Sequence, residues 1–294
     1  MRSFLFIPGD SPKKLEKGMT SGADALLLDL EDSISPQNKA QARATTLAFL
    51  NEARGAKDRP RLYVRINGLA TGLTDDDLDT VVSGHPDGIM FPKAEGGAAV
   101  IHCDAKITAR EAIHGLPDGT LDIIAIATET AQAMFLAGTY VDASKRLKGL
   151  TWGAEDLSVE LGAEANRDRD GNFLAPYQLA RSLCLAGAAA AQVQAIDTVY
   201  IDFRNDPGLR RECEEARRDG FTGKMAIHPA QVAAINEVFT PTAEAVKRAE
   251  AVIATFAANP GAGTVGIGGV MYDRPHLVRA EQLLARAQAA GLAA

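Results

Sequence analysis

Cysteine is scarce in this chain of 294 residues: there are three, Cys103, Cys184 and Cys213. An odd number spread so widely excludes a disulfide framework and leaves no C-x-x-C pair for a structural zinc. Basic charge is in deficit too, with 31 Lys and Arg against 38 Asp and Glu and a net charge of −7. That balance argues against a nucleic-acid partner, which needs a basic face, although a local lysine cluster can still hold an anion. No apolar run approaches the roughly 18 residues of a membrane span. The opening MRSFLFIPGD has an apolar stretch broken by Pro8 and Gly9, too short for the apolar region of a signal peptide. A soluble protein in a reducing, cytoplasmic setting, with no membrane partner, is expected. What is present is ordinary for a globular chain that buries a full core: 46% hydrophobic and 23% charged residues.

Eight short apolar runs carry the fold. They span Arg2 to Pro8, Ala23 to Asp32, Arg61 to Asn67, Gly88 to Lys93, Asp122 to Thr130, Leu147 to Leu157, Asp197 to Phe203 and Gly223 to Pro229. Most are continuous rather than alternating, as for parallel strands covered on both faces. Helical patterns separate them. SPKKLEKGM opens with a Ser and a Pro suited to a helix start, and Asn38 to Arg54, Pro176 to Gln194 and Pro207 to Arg218 follow. Eight strands alternating with helices predict a closed (β/α)₈ TIM barrel. An open doubly wound sheet would show a glycine fingerprint near the first strand, and none is there. The barrel is expected over residues 1–240. Residues 241–294 are expected to form a C-terminal lid and helical extension, with helices near Thr242 to Ala258 and Pro275 to Ala290. The glycine-rich NPGAGTVGIGGVMYDRP between them is long for a tight turn, and such connections are often lids or exchanged segments.

Active sites of such barrels gather at the C-terminal ends of the strands. The polar residues predicted there are Asp29, Glu31 and Asp32; Arg65 and Asn67; Lys93; Glu129; Glu155 and Asp156; Asp202 and Arg204; and His228. Solvated or mutually paired charges are the plain alternative for any one of them. Glu129 and Asp156, closing two successive apolar runs, supply hard oxygens suited to a Mg²⁺ that keeps water and accepts a substrate oxygen. Arg65 on a nearby strand offers planar, permanently charged donors for a carboxylate or enolate. That set suits chemistry passing through an enolate. A nucleophile is not indicated: G-x-S-x-G is absent, and no lysine is read in a strand core to form a Schiff base. Two motif matches are rejected. GAGTVG (Gly261 to Gly266) fits G-x-G-x-x-G but lacks the preceding strand and following helix. NRDRDG (Asn166 to Gly171) starts like a calcium loop, but its twelfth position is Tyr177 rather than Glu, so a turn held by Asn and Asp side chains is expected.

RSFLFIPGDSPKKLEKG, DLEDSISPQNKAQAR, YVRING, FPKAEG, IATETA, WGAEDLS and KMAIHPAQV, in that order and spacing, resemble the citrate lyase β-subunit-like family. This family of CoA-ester lyases lies within the HpcH/HpaI aldolase superfamily. The resemblance covers nearly the whole chain. It implies a (β/α)₈ enzyme dependent on Mg²⁺ or Mn²⁺ that makes or breaks a C–C bond beside a CoA thioester. By motif, Glu129 and Asp156 resemble the metal ligands, Glu129 lying against the substrate, and Arg65 the arginine that binds substrate oxygens. Asp29, Glu31 and Asp32 would lie just behind them. Among Lys13, Lys14 and Lys17, the resemblance places one or more near the CoA phosphates or adenine; a solvated helix face is the alternative. His228 could be a base. The resemblance instead makes its turn a wall for the pantetheine arm, built from Ile227 and Pro229.

Asp273 in VMYDRPHLVRAEQ suits a helix N-cap. The resemblance adds that in malyl-CoA lyase-like members an aspartate in this setting comes from a neighbouring subunit's lid and acts as acid/base. The implied assembly is a homo-oligomer, a trimer or a multiple of one. The implied reaction cleaves or forms a carboxylated 3-hydroxyacyl-CoA of the malyl-CoA or citramalyl-CoA type, giving acetyl-CoA and a 2-oxo acid. The alternatives are a (3S)-malyl-CoA thioesterase on the same site, the β-subunit of a citrate lyase acting on an acyl-carrier thioester, and a catalytically silent CoA-binding protein. Met90, Phe91, Trp152, Met225 and Met271 are expected to shape acyl preference.

Overall fold

The computed structural model describes residues 1–292. Eight strands, Ser3–Pro8 (β1), Ala25–Asp29 (β2), Arg61–Arg65 (β3), Gly88–Phe91 (β4), Asp122–Ile126 (β5), Leu147–Thr151 (β6), Gln194–Asp197 (β7) and Gly223–Ala226 (β8), pair in sequence order into a closed parallel barrel. Closure comes from β1 against β8, with Phe4 opposite Met225. The (β/α)₈ expectation is met. Alternate residues fill the lumen, among them Phe4, Leu27, Tyr63, Met90, Ile124, Ile196 and Met225. Their neighbours Leu26, Leu28, Val64, Ile89 and Ile123 are equally buried beneath the surrounding helices. Both faces are therefore dry, which is why the strands read as continuous apolar runs. The register slips by one residue where β5 meets β6: Ile123 pairs with Leu147, but Ile124 pairs with Gly149. The extra residue, Lys148, is exposed, as a bulge allows.

Two boundaries and one buried residue differ from the sequence reading. The strand expected over Asp197 to Phe203 lies earlier, at Gln194–Asp197, and residues 201–205 are exposed. The apolar spacing of DTVYIDF belongs to a loop, while a buried aspartate ends the true strand. Second, the run to Leu157 stops at Thr151, so Asp156 sits in the first turn of helix Ala154–Glu160, where an acid complements the helix dipole. Third, a lysine does occupy a strand core. Lys224 in β8 is fully buried, its Nζ 2.7 Å from Asp197 and 2.7 Å from Glu212. Its charge is held by those two acids, with burial opposed and outweighed. It points to the outer layer rather than the barrel mouth, so it is no Schiff-base candidate.

The chain divides into two compact units, Met1–Asn236 and the residues from Glu237 onward. The second contains helix Ala243–Ala258, capped by Thr242 accepting from the Ala245 N–H, and helix Arg274–Ala289. Between them the glycine-rich segment forms an antiparallel hairpin, Thr264–Ile267 (β9) with Val270–Asp273 (β10). Gly268 and Gly269 make its two-residue turn with φ of 57° and 81°, the left-handed pair that a tight hairpin needs. Phe256, Val252, Ala249, Val265 and Ala280 form this unit's own core. No helix among the described residues is long and apolar enough to cross a membrane.

Candidate active site

The C-terminal ends of β2, β3, β4 and β5 converge on one charged cluster. Arg65, closing β3, donates from Nε to Asp29 Oδ1 and from Nη2 to Asp29 Oδ2, both at 2.7 Å. Its Nη1 lies 3.0 Å from Glu31 Oε2 and 3.4 Å from Asp32 Oδ2. Glu31 Oε2 is buried and receives that ion-pair contact without a hydrogen-bonding angle. Burial opposes the charge of Asp29, but the two-pronged bond from Arg65 outweighs it and holds the carboxyl below the usual range. Burial lifts Glu31 to about 6, with Arg65 and Lys93 pulling the other way. Asp29 thus fixes the plane of the guanidinium, and Nη1 faces Glu31 and Asp32 beside the cavity.

Lys93, just past β4, has φ of 49°, a left-handed backbone that costs a non-glycine residue of order 1–3 kcal/mol. The twist aims its N–H at Glu129 Oε2, 2.6 Å away. Its Nζ donates to Glu31 Oε1 at 2.6 Å and lies 3.4 Å from Asp156 Oδ1. Glu129 is 2% exposed. Its pKa is pushed well above normal, first by burial and then by the charges of Asp156 and Glu31, against the pull of Lys93. Gly153 faces the other side: a Cβ there would stand 3.2 Å from Glu129 Cγ.

These residues fit a magnesium ion. The donors are hard carboxylate oxygens, and Glu129 is a buried acid crowded by like charge, an environment that calls for a cation. Among the described residues, no three His, Cys, Asp or Glu side chains close around a single point. Two carboxylates would leave the other positions to water and substrate, as Mg²⁺ prefers.

The cluster opens into a cavity of about 410 Å³ lined by Asp29, Arg65, Glu129, Trp152, Gly153, Asp156, Met225 and Ile227. Of the residues expected to shape specificity, Trp152 and Met225 line it. Met90 and Phe91 do not, because both are fully buried in the barrel. Met271 lies exposed on β10 of the second unit. Lys13, Lys14 and Lys17 are exposed on helix Pro12–Gly18, directly after β1. His228 caps the turn Pro229–Gln231, accepting at Nδ1 from the Ala230 N–H at 3.2 Å, and stacks on Phe203. Ile227 donates its N–H to Gln231 Oε1 at 2.9 Å and is 39% exposed. Asn67 is drawn away from the mouth, donating to Asp77 Oδ2 at 2.7 Å and accepting from Lys39. Asp202 and Arg204 are exposed. The NRDRDG segment is the expected turn: Asp168 accepts the N–H groups of Asp170 and Asn172, both at 2.9 Å. The sequence reading gave Lys93 no role. Its only local signal was a lysine ending an apolar run.

Arg65→Lys measures how much the fixed fork matters. A lysine cannot grip both Asp29 oxygens and still present a donor at the Nη1 position. Removing one such donor typically costs about 100-fold or more, so kcat/KM should fall by that order while Mg²⁺ binding persists. Steady-state kinetics checks this. A fall under about threefold would remove Arg65 from the reacting centre.

A family model described as HpcH/HpaI aldolase/citrate lyase matches residues 2–229. The (3S)-malyl-CoA thioesterase of Cereibacter sphaeroides is 37% identical over 294 residues, covering 98% of this chain and 95% of the relative. The mitochondrial citramalyl-CoA lyase of Rattus norvegicus is 32% identical, covering 96% and 85%. Among solved structures, the protein CitE from Mycobacterium tuberculosis, in complex with magnesium, acetoacetate and coenzyme A, matches with a TM-score of 0.77 and 32% identity, over 98% of both chains.

Proposed function

The chain belongs to the HpcH/HpaI aldolase/citrate lyase family, and from that membership we propose that it cleaves, or in reverse condenses, a carboxylated 3-hydroxyacyl-CoA of the malyl-CoA or citramalyl-CoA type. The protein is a carbon–carbon lyase that uses Mg²⁺ and a CoA ester; the products would be acetyl-CoA and a 2-oxo acid. The observation that carries this reading is the buried Glu129, crowded by Asp156 and Glu31 at the barrel mouth and faced by an arginine locked on Asp29. When bound, Mg²⁺ supplies Lewis acidity to the carboxylate and the hydroxyl that becomes the keto oxygen.

The chain's own residues do the rest. Glu129 and Asp156 would hold the ion. Lys93 fixes one Glu129 oxygen through its backbone N–H, and the other would be available to the ion. Arg65, held flat by Asp29, presents Nη1 to the negative charge that develops on the departing fragment. Ile227 and Pro229 form a wall for the pantetheine arm, and Lys13 and Lys17 meet the CoA phosphates as mobile point charges. Asp273, exposed at the end of β10, moves the carbon-bound proton. It would reach the site from a neighbouring copy's lid in a trimer or a multiple of one, in the cytoplasm.

A second reading, hydrolysis of the thioester at the same site, is favoured by the similarity to a malyl-CoA thioesterase. Malyl-CoA and citramalyl-CoA, offered with 2-oxo acid and free CoA thiol followed separately, decide between the two. The 2-oxo acid without thiol is the expected result. Thiol without 2-oxo acid would replace the lyase with the thioesterase. Turnover only with an acyl-carrier thioester would place the chain in a citrate lyase complex.

A further inference from the structure

We propose that His276 is a positioning residue for Asp273, binding one carboxylate oxygen through Nδ1 so that the other faces the substrate carbon whose proton Asp273 exchanges; this rests on the reading of Asp273 as acid/base. Asp273 ends β10 and caps helix Arg274–Ala289, with the His276 N–H donating to its Oδ1 at 3.4 Å. The Asp273 N–H in turn reaches His276 Nδ1 at 3.3 Å. The two side chains also meet directly, Nδ1 against Oδ1. A carboxylate oxygen and a bare imidazole nitrogen are both acceptors, so that contact requires a proton between them. It can sit on Nδ1 and be donated to the carboxylate, or on the carboxyl and be donated to Nδ1.

The surroundings keep the pair in place. The Tyr272 ring meets the imidazole edge-on, with centroids 5.4 Å apart. Opposite Asp273 on β9 is the uncharged Thr264. The neighbouring Arg274 directs its guanidinium over Phe256 on helix Ala243–Ala258. Among the described residues, neither Asp273 nor His276 has another ion-pair partner. Both side chains remain more than a third exposed, so a carbon acid can reach the carboxyl. In condensation the acetyl-CoA methyl C–H bond breaks, its electron pair stays on carbon as the enolate, and the proton passes to the other Asp273 carboxylate oxygen, Oδ2, while the Nδ1 proton stays on its bond to Oδ1. In cleavage the same proton returns and the C–H bond re-forms.

Capping alone would give the same backbone bonds, and the side chain that caps this position without titrating is glutamine. His276→Gln therefore separates the two roles. The measurement is exchange of the acetyl-CoA methyl protons in D₂O, followed by NMR against pH with Mg²⁺ present, alongside the melting temperature. The His276→Gln variant should melt like the wild type yet exchange roughly 10- to 100-fold more slowly, as expected for a mispositioned base. Its acidic limb should move to higher pH, because His276 is what holds the Asp273 carboxyl below its ordinary value. An unchanged rate and pH profile in His276→Gln, with exchange lost in Asp273→Asn, would overturn the role of His276 and leave Asp273 standing. No exchange by the wild type, or undiminished exchange by Asp273→Asn, would remove both.

Discussion

Glu129→Gln should lose metal-dependent turnover by roughly a thousandfold or more and at the same time melt at a higher temperature than the wild type in metal-free buffer. Charge stabilisation by a bound divalent ion is worth several kcal/mol at the transition state, and each 1.36 kcal/mol is tenfold in rate. A neutral amide is a poor substitute for a carboxylate ligand, while its oxygen can still accept the Lys93 N–H that Oε2 now takes at 2.6 Å. The gain in stability has a separate cause. Glu129 is buried with Asp156 and Glu31 as like-charged neighbours, and its pKa is raised for that reason. Because an acid with a raised folded pKa costs the native state stability at neutral pH, removing the charge removes the cost. Adding Mg²⁺ should raise the melting temperature of the wild type but not of the variant. Retained activity with Mg²⁺, or a variant that melts lower, would sink the assignment of Glu129 as a ligand.

Lys224→Met should be strongly destabilising to the barrel. Lys224 is fully buried and holds Asp197, which is also fully buried and accepts from Trp152 Nε1 at 2.8 Å and Arg181 Nε at 3.3 Å. Breaking one side of such a pair leaves an uncompensated acid and costs about 3–5 kcal/mol. For a unit of this size that is a loss of roughly 10 °C in melting temperature. The pH dependence follows from Asp197. Burial disfavours its charge, but Lys224 and then Arg181 outweigh burial and hold the carboxyl below its normal range. A depressed folded pKa means the pair's contribution is complete above the unfolded value, about 3.9, and is lost as the pH falls through the folded one. The gap between wild type and Lys224→Met should therefore narrow on acidification below about pH 4. A variant that melts within about 2 °C of the wild type would mean the acid is neutralised by Arg181 alone. Because Trp152 lines the cavity and donates to Asp197, the same variant should also weaken substrate binding.

The barrel was legible in the sequence because its strands are covered on both sides, so each appears as an unbroken apolar run with a charged residue where the run meets water. Where a charge lies inside a strand instead, that logic fails. Asp197 and Lys224 each stand at the start of an apolar run, Asp197 to Phe203 and Gly223 to Pro229, and neither is readable as half of an ion pair, because burial of an ion pair depends on a partner far along the chain. Glu129 and Asp156, the pair proposed as ligands, stand in the sequence as two acids ending apolar runs, although Asp156 owes its position to a helix's first turn rather than to the strand. The lock on Arg65 by Asp29 needed the strand register that sets Asp29 beside Arg65. Lys93 reads in the sequence only as a strand-end charge, since nothing local shows a left-handed backbone aiming its N–H at Glu129. In the tail, the Gly268–Gly269 pair flanked by apolar residues is a hairpin signal that the length of the segment obscured. Asp273 and His276, three residues apart at a helix start, carry the spacing of a capping box in which histidine replaces the usual Glu or Gln.

The central claim is that two acids at the barrel mouth, Glu129 and Asp156, hold a Mg²⁺ through which a CoA ester is split at a C–C bond. The direct test is formation of 2-oxo acid from malyl-CoA or citramalyl-CoA as Mg²⁺ is titrated into chelator-treated protein, with Glu129→Gln and Asp156→Asn run in parallel. A saturable rise from a baseline near zero in the wild type, absent or shifted to far higher Mg²⁺ in both variants, is the predicted result. Full 2-oxo acid production in the presence of excess chelator, or variants that titrate like the wild type, would contradict it.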